Sequence, residues 1–175
     1  MSRIGLYFGS FNPVHSGHIA IAEYMLEHAP IDELWFVLSP QNPLKNPEDL
    51  WSNKIRYNLL RTAIGEHPKM SICTVEWNMP VPSYTIDTLQ NLLDIYPANR
   101  FSVIMGSDNL QGIERWKSFE AILNNYSILV YPRPNTAPNA YFKHPNVTVF
   151  SDAPMMDISS TQIRNGGQIN NAKEI

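Results

Sequence analysis

The sequence has little cysteine, no basic cluster and no long apolar segment. Its single cysteine, Cys73, excludes an internal disulfide framework and favours a reducing, cytoplasmic compartment. The net charge is −3, whereas binding to a nucleic-acid backbone needs a basic face. No apolar run approaches the roughly 20 residues that span a bilayer, and the N-terminus lacks the pattern of a signal peptide. We therefore expect neither a nucleic-acid partner nor a membrane.

The common motifs of nucleotide-binding and hydrolytic enzymes are also missing. The sequence contains no Walker A segment and no G-x-G-x-x-G fingerprint, which argues against P-loop and dinucleotide-binding sites. No serine lies in a strained elbow beside an evident base, and no pair of carboxylates stands out. The chemistry must therefore come from another kind of motif.

What the sequence does contain is a regular alternation of strand and helix patterns. With 175 residues, 43% of them hydrophobic, the chain suits a single domain over residues 1–175 with a full core. The predicted strands are Ile4–Phe8, Leu34–Leu38, Met70–Val75, Arg100–Met105, Tyr126–Tyr131 and Val147–Phe150. The predicted helices are His18–Glu27, Asn53–Ile64, a helix capped by Ser83 or Thr85 that runs through Leu93, Phe119–Leu123, and one that opens within Ile158–Arg164. This order predicts a doubly wound α/β fold with a parallel sheet.

The segment after the first predicted strand is the most informative one. It reads Gly9-Ser-Phe-Asn-Pro-Val-His15-Ser-Gly17-His18, a glycine- and proline-framed loop that leads into a helix. Free backbone N–H groups and the positive dipole end at a helix start favour an anion such as phosphate. Two histidines three positions apart would add donors to that site. A His-x-x-His pair is also a metal-binding pattern, but no third ligand accompanies it at a telling spacing.

Other polar clusters follow other predicted strands. They are Ser39–Lys45, Gly106–Asp108, Arg133 and Ser159–Arg164. Ligands of doubly wound sheets bind at the carboxyl ends of the strands, where the strand order reverses. We therefore expect these clusters to meet the histidines in one cleft. An inventory of imidazoles, cations and hydroxyls suits phosphoryl or nucleotidyl transfer, in which positioning and charge neutralisation supply most of the rate.

Four segments together resemble one known family. The segment Gly9–His18 is similar to the G-[ST]-F-[DN]-P-x-H-x-G-H signature of the nucleotidyltransferase superfamily. Ser83-Tyr-Thr85-Ile-Asp-Thr-Leu, Gly106-Ser-Asp108 followed by Trp116, and Ile158-Ser-Ser160-Thr161-x-Ile-Arg164 resemble the bacterial nicotinate mononucleotide adenylyltransferases. The match runs in order from residue 4 to residue 164, nearly the whole chain. The resemblance implies a Rossmann-like nucleotidyltransferase fold.

The resemblance also implies a reaction and an ATP site. The reaction is transfer of AMP from ATP to nicotinate mononucleotide, which gives nicotinate adenine dinucleotide and pyrophosphate in NAD biosynthesis. His15, His18 and Arg164 would be the catalytic residues, because they hold the phosphates and stabilise the transition state. The other expected contacts to ATP come from Gly9, Ser10, Phe11, Lys45, Gly106, Asp108, Ser160 and Thr161. Mg²⁺ would arrive with ATP, since the sequence offers no dedicated carboxylate cage for it.

The acceptor would bind to a second group of residues. By the same resemblance these are Ser83, Tyr84, Thr85, Trp116 and Arg133. Thr85 and the helix start would hold the nicotinate carboxylate, Trp116 would stack on the pyridine ring, and Arg133 would meet the mononucleotide phosphate. Each has a structural alternative: Thr85 as a helix cap, Trp116 as core packing, and Arg133 as a surface residue.

Two rival functions and two departures from the family pattern accompany this reading. The same transfer to phosphopantetheine or nicotinamide mononucleotide is one rival, and a non-catalytic nucleotide-binding sensor is the other. Lys117 stands where many relatives have a second aromatic residue. The chain ends about ten residues after Arg164, where relatives usually continue into a further helix, so we expect a shortened C-terminal helix. The expected partners are ATP and nicotinate mononucleotide, and a homo-oligomer is compatible with the sequence.

Overall fold

A computed structural model describes residues 1–40, 50–155 and 159–165. In this part of the chain, six strands form one sheet in the order β3-β2-β1-β4-β5-β6, and every neighbouring pair is parallel. The strands are β1 (Arg3–Gly9), β2 (Glu33–Leu38), β3 (Met70–Cys73), β4 (Arg100–Gly106), β5 (Ser127–Tyr131) and β6 (Val147–Val149). The order reverses between β1 and β4, as in dinucleotide-binding folds. The predicted doubly wound parallel sheet is confirmed.

Helices cover both faces of this sheet. They are α1 (Ser16–His28), α2 (Asn53–Ile64), α3 (Thr85–Ile95), α4 (Ser107–Gln111), α5 (Phe119–Asn125) and α6 (Ser160–Asn165). Alternate side chains of β1 enter different cores: Tyr7 packs with Met25 of α1, whereas Leu6 packs with Leu89 of α3. Strands buried on both faces explain why their sequences are nearly continuous apolar runs. Within the described residues, no helix is long and apolar enough to cross a membrane.

The local predictions needed three corrections. Strand β3 ends at Cys73, and Val75 lies instead in a short 3₁₀ helix, Val75–Asn78. The segment after β4, for which no element was predicted, forms the one-turn helix α4. Neither Ser83 nor Thr85 caps α3, because the cap position belongs to Tyr84, whose side chain makes no capping hydrogen bond. Cys73 is partly buried, and burial raises the pKa of its thiol, which makes it less reactive.

The first turn of helix α2 departs from the core face that its apolar pattern predicts. The spacing of Ile55, Leu59, Ala63 and Ile64 predicts a core stripe; the last three pack against the core, but Ile55 is 50% exposed. The buried residue one position further on is Arg56, which is 0% exposed. Hydrogen bonds of this arginine hold the first turn in place.

The Arg56 guanidinium joins the ends of the first two strands to α2. Its nitrogen atoms donate to the carbonyl oxygens of Ser10 at 2.8 Å, Ser39 at 2.7 Å and Trp51 at 2.8 Å, and to the Asn53 side chain. Burial lowers its pKa to about 10, so it remains charged at neutral pH. Carbonyls left without this donor inside the protein would have no replacement partner.

We predict that Arg56→Met lowers the free energy of unfolding by about 3 kcal/mol or more, because several buried carbonyls lose their donor. Urea unfolding at pH 7 measures the change. Arg61→Met is the matched control on the same helix, since Arg61 is exposed, and its effect should stay within about 0.5 kcal/mol. Similar effects of the two substitutions would contradict this role of Arg56.

Candidate active site

A cavity of about 460 Å³ opens at the carboxyl edge of the sheet, beside the reversal between β1 and β4. The loop after β1, the start of α1, α4, the end of β5 and α6 all contribute to its wall. The lining residues include Tyr7, Ser10, Asn12, His15, His18, Asp108, Asn109, Tyr131, Arg133, Ser159, Ser160, Thr161 and Arg164. Parallel topology thus brings segments more than 140 positions apart to one site.

Most of the predicted phosphate-binding residues line this cavity. They are Ser10, His15, His18, Asp108, Ser160, Thr161 and Arg164, and Arg133 from the predicted acceptor set lies among them. Gly9, Phe11 and Gly106 are not among the described residues of the wall. Lys45 and Ile158 lie outside the described residues, as does the predicted C-terminal tail after Asn165.

The two histidines form a reciprocal cap at the start of α1. His15 is the N-cap, and its Nδ1 accepts a hydrogen bond from the Gly17 N–H at 3.1 Å. The Nδ1 of His18 accepts from the backbone N–H of His15, also at 3.1 Å. The two rings stack with centroids 3.7 Å apart and planes 26° apart. Because both Nδ1 atoms act as acceptors, Nε2 is the nitrogen of each ring that can donate to a ligand.

Charge and burial keep His15 neutral. The residue is 4% exposed, and burial together with the nearby Arg133 lowers its pKa from 6.5 to about 4. In this uncharged state the Nε2–H of the imidazole can donate a hydrogen bond to a ligand, and the same nitrogen cannot accept one. The sequence placed these histidines correctly, and the structure adds the nitrogen through which each one can act.

The loop between β1 and α1 is held in place by hydrogen bonds from residues distant in sequence. The Asn12 carbonyl accepts from Arg164 Nη1 at 2.6 Å, and the Pro13 carbonyl accepts from Ser160 Oγ at 2.7 Å. The Trp51 N–H donates to Asn12 Oδ1 at 2.9 Å. These bonds dock α6 directly on the histidine loop. Arg164 and Ser160 therefore position the loop as well as lining the cavity.

Phe11 supports the site from inside the core. It is 3% exposed and adopts φ = 44°, a left-handed conformation that is uncommon for residues other than glycine. Its ring contacts that of His18 edge-on, with centroids 5.0 Å apart. A side chain at Gly9 would come within 3.0 Å of the Phe11 ring, so glycine is needed there for close packing. Gly9 and Phe11 thus shape the cradle without lining it.

The backbone of Arg133 is anchored just after β5. Its backbone N–H donates to Ser107 Oγ at 2.8 Å, and Ser107 Oγ in turn bonds Thr136 Oγ1 at 3.1 Å. A Cβ on Gly106 would lie 2.5 Å from Asp108 Oδ1 and 2.8 Å from Arg133 Cγ. Glycine at this position allows both side chains to approach the strand end. Arg133 is partly buried and lines the cavity, and its role there stays a prediction.

The predicted acceptor residues other than Arg133 do not line this cavity. Ser83, Tyr84, Thr85 and Trp116 are not among the described residues that line it. Trp116 is partly buried and packs against the core that contains α3 and α5, as the core-packing alternative expects. Lys117 connects the segment that follows Trp116 to the start of α3. Its Nζ lies 2.8 Å from Asp87 Oδ2 and 5.0 Å from the centre of the Tyr84 ring. The sequence analysis assigned no role to this lysine.

A buried carboxyl group that the sequence analysis missed lies under the start of α3. Glu76 is 2% exposed, and its Oε2 accepts from Thr88 Oγ1 at 2.7 Å. Burial raises the pKa of Glu76, and its hydrogen bond from Thr88 partly offsets this. Among the described residues, no group of three histidine, cysteine, aspartate or glutamate side chains could hold a metal ion. The hydrogen bond from Thr88 connects the Glu76 carboxyl to α3.

Comparison with known proteins decides the family. A family model described as cytidylyltransferase-like matches residues 6–166. A protein of Azobacteroides pseudotrichonymphae named a probable nicotinate-nucleotide adenylyltransferase is 49% identical over 162 residues, which cover 93% of this chain and 85% of that protein. A Flavobacterium psychrophilum protein of the same name is 43% identical, with coverage of 99% and 89%. The chain belongs to the nicotinate-nucleotide adenylyltransferase family.

A solved structure supports the fold of this adenylyltransferase family member. The Plasmodium falciparum nicotinic acid mononucleotide adenylyltransferase complexed with NaAD superposes with a TM-score of 0.82 at 20% sequence identity. The superposition covers 99% of this chain and 90% of the other. Because the identity is low, this likeness bears on the fold alone, and it agrees with the Rossmann-like sheet described above.

The low pKa of His15 predicts how stability depends on pH. Between about pH 6.5 and about pH 4, the unfolded chain binds a proton at His15 that the folded chain does not. The free energy of unfolding should therefore fall as the pH falls through this window, by at most about 1.4 kcal/mol per pH unit from this group. Below about pH 4 the contribution should no longer change.

His15→Asn isolates that contribution, since asparagine caps helices well but does not titrate. Urea unfolding of both proteins at pH 7, 6 and 5 measures it. We expect the variant to lose less stability on acidification than the parent protein. Identical pH dependence in the two proteins would contradict the neutral state of His15.

Proposed function

We propose that this protein transfers the adenylyl group of MgATP to nicotinate mononucleotide, giving nicotinate adenine dinucleotide and pyrophosphate. The observation that carries the proposal is the single cavity in which His15, His18, Arg133 and Arg164 face the same space. Three of the four signature segments of the family border or support that cavity. The names of the relatives supply the acceptor. The single cysteine favours the cytoplasm as the place of the reaction.

The step is an in-line displacement at the α-phosphorus of ATP. A 5′-phosphate oxygen of the acceptor forms the new P–O bond, and the bond between the α-phosphorus and the bridging oxygen to the β-phosphate breaks. Pyrophosphate leaves with that electron pair. The nucleophile is already anionic at neutral pH, since the second pKa of a phosphate monoester is about 6. No protein group has to remove a proton, which agrees with the absence of an evident general base.

Five residues of the cavity wall have a part in this step. The Nε2–H groups of His15 and His18 donate to oxygens on the transferring phosphorus, where negative charge develops. Arg164, Ser160 and Thr161 bind the β- and γ-phosphates and so favour departure of pyrophosphate. Mg²⁺ enters with ATP as part of the substrate and neutralises phosphate charge. Lys45 remains a candidate for additional charge at this site.

The acceptor occupies two regions in this proposal. Arg133, which lines the cavity just after β5, binds the mononucleotide phosphate and brings it towards the histidines. Thr85 at the start of α3 binds the nicotinate carboxylate, and Trp116 packs beside the pyridine ring. Lys117 keeps these two segments together through Asp87 and Tyr84. Phosphate capture and base recognition are thus the tasks of different elements.

The acceptor can be tested directly. The protein is mixed with Mg-ATP and, separately, with nicotinate mononucleotide, nicotinamide mononucleotide or phosphopantetheine, and pyrophosphate release is measured. We expect the fastest release with nicotinate mononucleotide, because the amide lacks the anion that Thr85 and the helix start would bind. Turnover with phosphopantetheine alone would overturn the proposal. Tight binding of ATP without any turnover would favour the sensor alternative.

His18→Ala tests the role of the histidine pair. We expect kcat to fall by about 10²-fold or more, the scale of a lost transition-state donor, while the fold remains intact by circular dichroism. Steady-state kinetics with the preferred acceptor measure the change. His67→Ala serves as the control, because His67 lies in the turn before β3, away from the cavity wall. An unchanged kcat in His18→Ala would remove His18 from the mechanism.

A further inference from the structure

Two tyrosines line the cavity that neither the family motifs nor the proposed mechanism uses. Tyr7 lies on β1 and Tyr131 is the last residue of β5, and β4 lies between the two strands. Their side chains meet above β4: the ring centroids are 5.8 Å apart, and Tyr7 Oη donates to Tyr131 Oη at 3.5 Å. Both residues belong to the cavity wall.

The hydroxyl protons of this pair can be counted. Two phenols carry two O–H protons, and the bond between them uses one. In the described part of the chain, Tyr7 Oη and Tyr131 Oη have no hydrogen-bond partner besides each other. One O–H donor is therefore left over. It belongs to Tyr131, because Tyr7 donates in the mutual bond, and Tyr131 is partly exposed whereas Tyr7 is 3% exposed.

The surroundings keep this donor protonated. Burial raises the pKa of both phenols, and the charge of Asp108 adds to the effect while that of Arg133 opposes it. Tyr131 therefore stays a neutral donor across the physiological range. It shares the cavity wall with these two charged side chains and lies next to the Tyr7 ring, whose centroid is 6.1 Å from that of His18.

The neighbouring groups determine what this donor can bind. The imidazoles, Arg133 and Arg164 present N–H donors to the same cavity, so a group that fits among them must be rich in acceptor oxygens and negative charge. Phosphate oxygens satisfy this condition, whereas a sugar hydroxyl is better matched to the carboxylate of Asp108. The protonated phenol adds a hydrogen bond without adding charge.

We propose that Tyr131 Oη donates a hydrogen bond to a phosphate oxygen of the bound nucleotide, and that Tyr7 positions it. Tyr7 acts through Tyr131. Its hydroxyl donates a hydrogen bond to the Tyr131 oxygen, and this orients the Tyr131 O–H towards the ligand. The proposal rests on the proposed function in that the phosphate belongs either to ATP or to the acceptor mononucleotide.

The test compares nucleotide binding by Tyr131→Phe and Tyr7→Phe with the parent protein. Isothermal titration calorimetry is done with ATP alone and with nicotinate mononucleotide alone. Tyr131→Phe should weaken binding of one of them about five- to tenfold, as expected for a lost hydrogen bond to a charged group, and the affected nucleotide identifies the phosphate. Tyr7→Phe should weaken the same nucleotide by about twofold, because the Tyr131 donor remains but is less well directed.

Tyr57→Phe is the matched control, since Tyr57 is a partly buried tyrosine of the same core that is not among the residues of the cavity wall. It should bind both nucleotides as the parent does. A second measurement is spectroscopic: binding of the affected nucleotide should perturb the ultraviolet tyrosine spectrum of the parent protein and of Tyr57→Phe. The perturbation should disappear in Tyr131→Phe.

Two outcomes overturn the proposal. One is an unchanged dissociation constant for both nucleotides in a folded Tyr131→Phe. The other is the absence of any tyrosine perturbation when the parent protein binds them. Either result would leave adenylyl transfer untouched if turnover persists. Conversely, a parent protein that binds ATP more tightly than Tyr131→Phe but never releases pyrophosphate would support the tyrosine donor and overturn the proposed function.

Discussion

The loop between β1 and α1, which carries His15 and leads to His18, depends on the buried positive charge of Arg56. Arg56 is fully buried, and its bonds reach the carbonyls that follow β1 and β2 and the entrance of α2. Its partners are backbone carbonyls and one amide oxygen, so the positive charge is solvated by fixed dipoles. From the other side, Arg164 and Ser160 bond the carbonyls of Asn12 and Pro13. The loop between these supports has little freedom, and the left-handed conformation of Phe11 is tolerated because the surroundings enforce it.

The sequence was sufficient for the strands, the helices and the sheet. Apolar runs such as Leu34–Leu38 end at glycine or proline, and a parallel sheet buried on both faces leaves few alternatives for them. The sequence did not predict that Arg56, and not Ile55, is buried in the first turn of α2. Periodicity assigns Ile55 to the core and Arg56 to solvent, because it scores side chains by polarity alone. The actual face is decided by three carbonyls whose positions exist only in the folded protein.

For the site, the sequence was stronger on phosphate binding than on the acceptor. His15, His18 and Arg133 follow strands or open a helix, and topology alone brings such positions to one edge; Arg164 reaches the same edge from the last turn of α6. The sequence did not reveal that the Phe11 ring packs against Gly9 and His18 and so shapes the loop; contact of Gly9 and Phe11 with ATP stays a prediction. Tyr7 and Tyr131 gave no signal, because aromatic residues in strands are ordinary. Thr85 and Trp116 remain predictions supported by the family resemblance.

The neutral state of the His15 imidazole has a consequence for the end of the catalytic cycle. Hydrogen bonds to phosphate from charged groups are roughly twice as strong as those from neutral ones. A binding site made entirely of cations would hold pyrophosphate as firmly as it holds ATP, and product departure would then limit the rate. Here the cavity wall carries an uncharged donor, His15, together with the cations Arg133 and Arg164. In the proposed reaction Arg164 holds the leaving pyrophosphate, whereas His15 contributes a hydrogen bond at the α-phosphate without adding a further positive charge that would delay product release.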